Sequence, residues 1–313
     1  MLGSFLRRND NILYKGYMDF KKYLNNRCAL VDKALNNLMP ERDEYPSVIN
    51  QAMRYSVFAG GKRVRPVLVI MAAEALGFEA SRVMPTACAM ELIHTYSLIH
   101  DDLPCMDDDD YRRGKLTNHK VYGENMAVLG GDGLLTLAFE LVTKNAEVKG
   151  VNSGAVVKAL KIIADGAGTH GMVGGQVVDI ISENKKLSEP VLQYIHTHKT
   201  GALLRASILA GAVLCNADEK KYKALKVYGE HIGLIFQIVD DILNVVGDEK
   251  KLGKAVGSDA KRKKMTYPAL FGLKQSREEV ELLCEKAKTA VKPFGKKAET
   301  MLALVDFLKE REA

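Results

Sequence analysis

Apolar residues recur at three- and four-residue steps along most of the chain, as in AMELIHTYSLIH (89–100), GGDGLLTLAFELV (130–142) and HIGLIFQIVDDILNVV (231–246). That spacing marks one face of a helix. Alternating strand patterns of useful length are lacking, and most of the eight prolines sit between helical stretches or near their ends, as Pro40, Pro66 and Pro268 do. The pattern predicts an all-α protein. Segments 89–100 and 231–242 carry so little polar face that they belong inside a bundle. Both run into an Asp-Asp pair, Asp101-Asp102 and Asp240-Asp241.

The 313 residues, 47% of them hydrophobic, suffice for one large core. A single domain over 18–313 is expected, with 1–17 as an extension, because MDFKKYLNNRCALVDKALNNLM (18–39) reads as a helix able to begin the protein by itself. The charged, glycine-rich segment 247–267 is expected to be a lid-like loop. No run of about 18 apolar residues argues for a membrane span, and the N-terminal arginines follow the apolar residues, the reverse of a secretory signal. Five cysteines lie scattered without a close pair, which suits a reducing compartment; the expected location is the cytoplasm. The net charge of +6 is not gathered in one tract, so nucleic-acid binding is unsupported. A basic surplus beside an acidic cluster does suit a polyanionic ligand held partly through metal ions.

The acidic cluster is HDDLPCMDDDDYRRG (100–114), with six aspartates in ten residues followed by Arg112 and Arg113. Six carboxylates at the end of an apolar helix repel one another unless cations neutralise them. Oxygen-only ligands favour magnesium or calcium over zinc. In FQIVDDILN, Asp240 and Asn244 share a helix face at i, i+4. Two such helix ends facing each other across a cavity could be bridged by a diphosphate with its metal ions. GGKRVRP (60–66) adds Lys62, Arg63 and Arg65 beside glycines that let the backbone approach an anion, which points to a second, metal-free phosphate pocket.

These motifs, with GGQVVD (174–179) and HKT (198–200) between them, stand in the order of the trans-isoprenyl diphosphate synthases, which the chain resembles over roughly residues 45–270. Within that family it looks most like the bacterial farnesyl diphosphate synthases. The resemblance implies an all-α, homodimeric isoprenoid-synthase bundle around a central cavity. It implies that Asp101, Asp102 and Asp107 bind magnesium on the allylic diphosphate, with Asp240 and Asp241 opposite and three ions per site. It assigns Arg112, Lys199, Lys254 and Lys264 to the same diphosphate, and Gly61, Lys62, Arg65, His94 and Arg113 to isopentenyl diphosphate. Thr200 and Gln237 would offer dipoles to the developing carbocation. Tyr96, five residues and about 7.5 Å before Asp101 on its helix, would floor the pocket for the growing chain and stop it at farnesyl diphosphate.

His100 is expected to pack as an ordinary core histidine. Gln176 and Asp179 could support Lys199 or the metal's water shell, or could be plain helix–helix hydrogen bonds. Asn244 departs from the family, standing where its third aspartate would be. The product alternatives are geranylgeranyl and geranyl diphosphate. Asp240, Asn244 and Asp248 at i, i+4, i+8 also fit a terpene cyclase, against which GGKRVRP and the paired arginines argue. A noncatalytic regulatory subunit is a further alternative, and a His-Asp phosphohydrolase would need histidine ligands that the seven histidines do not supply.

Overall fold

The computed structural model describes residues 19–183, 185, 188–246 and 266–311. The expected extension 1–17, Asp248, Lys254, Lys264 and nearly all of the expected lid lie outside the described residues. The described chain is helical, as its periodicity predicts, and the β-structure among the described residues is one two-stranded hairpin, β1 (Tyr111–Arg112) and β2 (Lys115–Leu116). In chain order the helices are α1 (Phe20–Leu38), α2 (Ser47–Val57), α3 (Val64–Ala75), α4 (Met84–Asp101), α5 (Asn118–Tyr122), α6 (Glu124–Thr143) and α7 (Ser153–Ala167). They are followed by α8 (Met172–Ile181), α9 (Glu189–Ile195), α10 (Ala202–Leu214), α11 (Glu219–Val246), α12 (Tyr267–Val291) and α13 (Glu299–Lys309).

Local chemistry sets several of these ends. The Asp19 carboxylate accepts from Lys22 N–H at 3.0 Å and starts α1, and the Asn152 side chain does the same for α7 through Ala155 N–H at 2.8 Å. Proline occupies the first turn of α4, α9 and α12, where its missing N–H costs no hydrogen bond. Gly272, at φ 78°, kinks α12.

The core has two lobes. One joins α1, α2, α4, α6 and α7, and the other joins α11, α12 and α13. Helices α3 and α10 belong to both: Val69, Ile70 and Ala73 face the first lobe, while Val67, Leu68 and Met71 face the second. That two-sided duty is why both helices are apolar all round. Close approach needs glycine where α11 meets the turn before α10: a Cβ on Gly233 would lie 2.8 Å from the Gly201 Cα.

One finding differs from the hydropathy reading. Glu124–Glu147, which contains α6, is long and apolar enough to cross a membrane by length and composition, although 44% of its apolar window is buried in the bundle. It packs along α4, and its apolar residues serve the core on that side while Val128 and Leu129 face outward.

Candidate active site

A cavity of about 700 Å³ opens between α4, α8, the turn His196–Gly201 and α11. Nine of the residues expected from sequence border it: Arg65, His94, Tyr96, Asp101, Lys199, Thr200, Gln237, Asp240 and Asp241. Asp101, which closes α4, and Asp240 and Asp241 therefore border one space, although α11 runs on past its pair to Val246 instead of ending there.

At the end of α4 the chain folds back so that the Asp107 N–H donates to the Asp101 carbonyl at 2.8 Å. The Gln176 side chain on α8 donates through Nε2 to Asp101 Oδ1 at 3.0 Å. Burial, with the nearby Asp107 charge adding to it and Lys199 opposing, pushes the Asp101 carboxyl up to about 6. Asp102 turns away from the large cavity. It is 3% exposed and grips Arg112 through Nε at 2.6 Å and Nη2 at 2.5 Å. Burial raises its pKa and Arg112 holds it down. Asp102, Arg112 and Arg113 line a separate space of about 30 Å³ behind α4.

Across the cavity, the turn His196–Gly201 is a π-helix, a form that often marks functional sites because its extra residue turns side chains off the helical register. Here Lys199 and Thr200 border the cavity, and Lys199 Nζ pairs with Asp179 Oδ2 at 2.6 Å. GGQVVD thus supplies one partner to Asp101 and one to Lys199, which is the supporting role that the sequence left open. On α11, Asp240 lies 3.7 Å from Arg311 Nη2. Asp241 is 5% exposed. It accepts from Tyr267 N–H at 2.8 Å and Gln237 Nε2 at 3.3 Å, with His196 Nε2 3.3 Å away.

The basic motif divides. Lys62 is exposed, while Arg63 turns inward. At 3% exposure, with φ 45°, it binds Asp32 at 2.8 Å, Glu91 at 2.7 Å and the Val57 carbonyl at 2.7 Å. It therefore serves the fold instead of a phosphate. Arg65 borders the cavity with a buried Nε that has no hydrogen-bond partner, and burial lowers its pKa to about 10. Burial, then the Arg65 and Arg113 charges, holds the neighbouring His94 neutral, well below the usual histidine range. Arg113 donates to the Gly60 carbonyl, and its guanidinium occupies the space a Cβ on Gly61 would need, 2.6 Å from that position. A half-buried cation with an unbonded, buried N–H invites an anion.

The carboxylates fit a hard cation by chemistry. Asp101 is a carboxylate whose ionised form burial disfavours and a cation would restore. Among the described residues, no three His, Cys, Asp or Glu side chains converge enough to hold a metal alone. Ions bound here would need further oxygens from a ligand, as a diphosphate provides.

Sequence reasoning missed His196, the Tyr267 N–H and Arg311. Each acts on an aspartate 26 to 71 residues away in the chain, and no local motif announces such a pairing.

Comparisons with known proteins agree with this geometry. A family model described as polyprenyl synthetase matches residues 46–302. The chain is 46% identical over 290 residues to a geranylgeranyl diphosphate synthase of Cyanophora paradoxa, covering 92% of this chain and 95% of that one. It is 46% identical over 271 residues to a farnesyl diphosphate synthase of Geobacillus stearothermophilus, covering 87% and 91%. A solved geranyltransferase from Legionella pneumophila superposes with a TM-score of 0.81 at 33% identity, covering 94% of this chain and 97% of the other. Geranylgeranyl names recur among the remaining curated relatives, one of them the large subunit of a heterodimeric enzyme.

Proposed function

The chain belongs to the polyprenyl synthetase family, and from that premise we propose that it condenses an allylic diphosphate with isopentenyl diphosphate, head to tail, at the cavity between α4 and α11. The observation that carries this reading is the pairing of chemically different anion sites around one apolar-walled space: Asp101 faces Asp240 and Asp241, while Arg65 and His94 border the same cavity. A terpene cyclase, with a single diphosphate substrate, has no use for the second site.

Magnesium, three ions per site by the family resemblance, would supply positive charge to the allylic diphosphate as it leaves. Asp101, Asp107 and Asp240 would hold it, with Asp102 and Asp241 behind them. Lys199, fixed by Asp179, adds a cation to the same leaving group. Arg65, with Lys62 and Arg113, would seat isopentenyl diphosphate. Neutral His94 is a hydrogen-bond donor there that adds no charge. Thr200 and Gln237 present oxygen dipoles toward the carbon that becomes positive, and no protein nucleophile is needed. Lys254 and Lys264, outside the described residues, would add cations from the segment after α11.

Product length has two readings. The names of the relatives favour geranylgeranyl diphosphate. Tyr96, only 7% exposed and bordering the cavity about 1.4 turns below Asp101, favours an earlier stop at farnesyl diphosphate. Sizing the products formed from dimethylallyl and isopentenyl diphosphates with magnesium tests both, and absence of elongated product would refute the condensation itself. Tyr96→Ala is expected to lengthen whichever product the parent releases. We further propose a cytoplasmic homodimer paired through the outward apolar residues of α6. Sedimentation of the purified chain as a monomer, or only with a second gene product, would exclude the homodimer.

A further inference from the structure

His100 stands immediately before Asp101 and one turn after Tyr96, so the two rings share a face of α4 at i, i+4. They meet edge to face, with centroids 5.7 Å apart and planes at 83°, the arrangement aromatic quadrupoles prefer. On its other side the imidazole reaches α6. Its Nε2 lies 3.1 Å from the Val128 carbonyl oxygen, and because a carbonyl only accepts, that nitrogen carries the hydrogen. Gly131, on the same stretch of α6, leaves the space the imidazole fills, since a Cβ there would overlap the ring. The imidazole is thus wedged between the backbone of α6 and the edge of Tyr96.

We propose that His100 is a positioning residue for product length: it braces Tyr96 from behind, against α6, so that the phenol ring stays across the cavity as the chain grows toward it. The proposal rests on Tyr96 as the floor, and it adds what keeps the floor in place. A tyrosine side chain has two rotatable torsions, so its ring keeps its place only through the contacts around it. With the imidazole packed there, swinging aside would require displacing a ring that is hydrogen-bonded to a helix backbone and seated in the space over Gly131. The cost of moving the floor is therefore set by α6.

His100 also borders the cavity, so an effect through Tyr96 must be separated from a direct one. The test compares product lengths, kcat and melting temperature for the parent, Tyr96→Ala, His100→Ala, the double variant and His100→Phe, all as the full chain. His100→Ala is expected to shift the main product by at least one isoprene unit with kcat within about threefold of the parent. The double variant should release the same products as Tyr96→Ala alone, because a brace has no effect once its load is gone. His100→Phe, which keeps the ring edge and loses the hydrogen bond, should restore the parental length at a lower melting temperature.

If Tyr96→Ala lengthens the product while His100→Ala leaves it unchanged, the brace is refuted and the floor stands. If Tyr96→Ala changes nothing, the floor falls and the brace with it. Additive lengthening in the double variant refutes action through Tyr96. Gly131→Ala approaches from the α6 side without altering either ring: its methyl group would drive the imidazole toward Tyr96, and an unchanged product distribution in a folded Gly131→Ala enzyme would overturn the proposal even if His100→Ala failed to fold.

Discussion

Asp101 closes α4 and Asp241 lies five residues before the end of α11, each in the Asp-Asp pair of an apolar inner helix and each bordering the same cavity, yet their surroundings are opposite. Asp241 has a backbone N–H, an amide and an imidazole close on its oxygens. Asp101 takes an amide donor at 3.0 Å, and although the Lys199 charge opposes the shift, burial with a second carboxylate nearby outweighs it and leaves the Asp101 charge under-compensated. The α11 end is finished by the fold. The α4 end is left for a ligand to finish, and a group whose ionised form is disfavoured in the resting protein gains most from an arriving cation.

The sharpest way to break this contrast is to delete each carboxylate. Asp101→Ala is expected to cost at least about a hundredfold in kcat/KM, roughly 3 kcal/mol of transition-state stabilisation, with an equal or higher melting temperature. A parallel loss of stability would show that Asp101 is as structural as its counterpart. Asp241→Ala should lower stability by about 1–3 kcal/mol, because it strands the Tyr267 N–H and the Gln237 amide. Asp240→Ala, one residue away, should cut activity while leaving denaturant unfolding near the parent.

The pH dependence separates the two ends more finely. The Asp101 pKa is raised to about 6 from an ordinary carboxylate value, so the folded state binds this proton more tightly than the unfolded state does. Its contribution to stability is therefore greatest below about pH 4 and falls as pH rises toward 6. Metal-dependent binding runs the other way, since the ion must displace the proton. Calorimetry with an allylic thiodiphosphate and magnesium should show binding weakening about tenfold per pH unit below 6. Asp101→Asn should retain only the pH dependence of the ligand itself, and an identical profile in both proteins would refute the assignment.

The smallest expected effect comes from Gln176→Leu, which removes the Gln176 amide donor to Asp101. A loss of about 0.5–1.5 kcal/mol, a few-fold to tenfold in kcat/KM, should come with a shift of the acidic limb toward higher pH. A drop in kcat/KM with no movement of that limb would mean Gln176 acts elsewhere.

GGKRVRP offers a second contrast, within the seven residues of one motif. Its charges suggest three phosphate ligands, but Arg63 is committed to Glu91, which is 1% exposed, and an alanine there would leave that carboxylate buried and unpaired. The left-handed turn at Arg63 accompanies a side chain directed at Asp32, Val57 and Glu91, with Lys62 outside and Arg65 on the cavity side. Charge pattern alone cannot distinguish these residues, because what separates them is one backbone torsion and a glutamate 28 residues away.

The sequence by itself determined the helical class, the inner position of α4 and α11, the aspartate pairs at their ends and the order of motifs that marks the family. All of these follow from short-range regularities, namely a period of 3.6 residues and like charges in close succession. Only the tertiary structure decided which aspartate is satisfied and which is not, that Gln176 and Asp179 serve Asp101 and Lys199, that Arg63 is internal, and that His100 stands between Tyr96 and α6. Each of those is a contact between segments far apart in the chain or a turn out of the helical register, and such contacts are set by how whole helices pack, which no local pattern encodes.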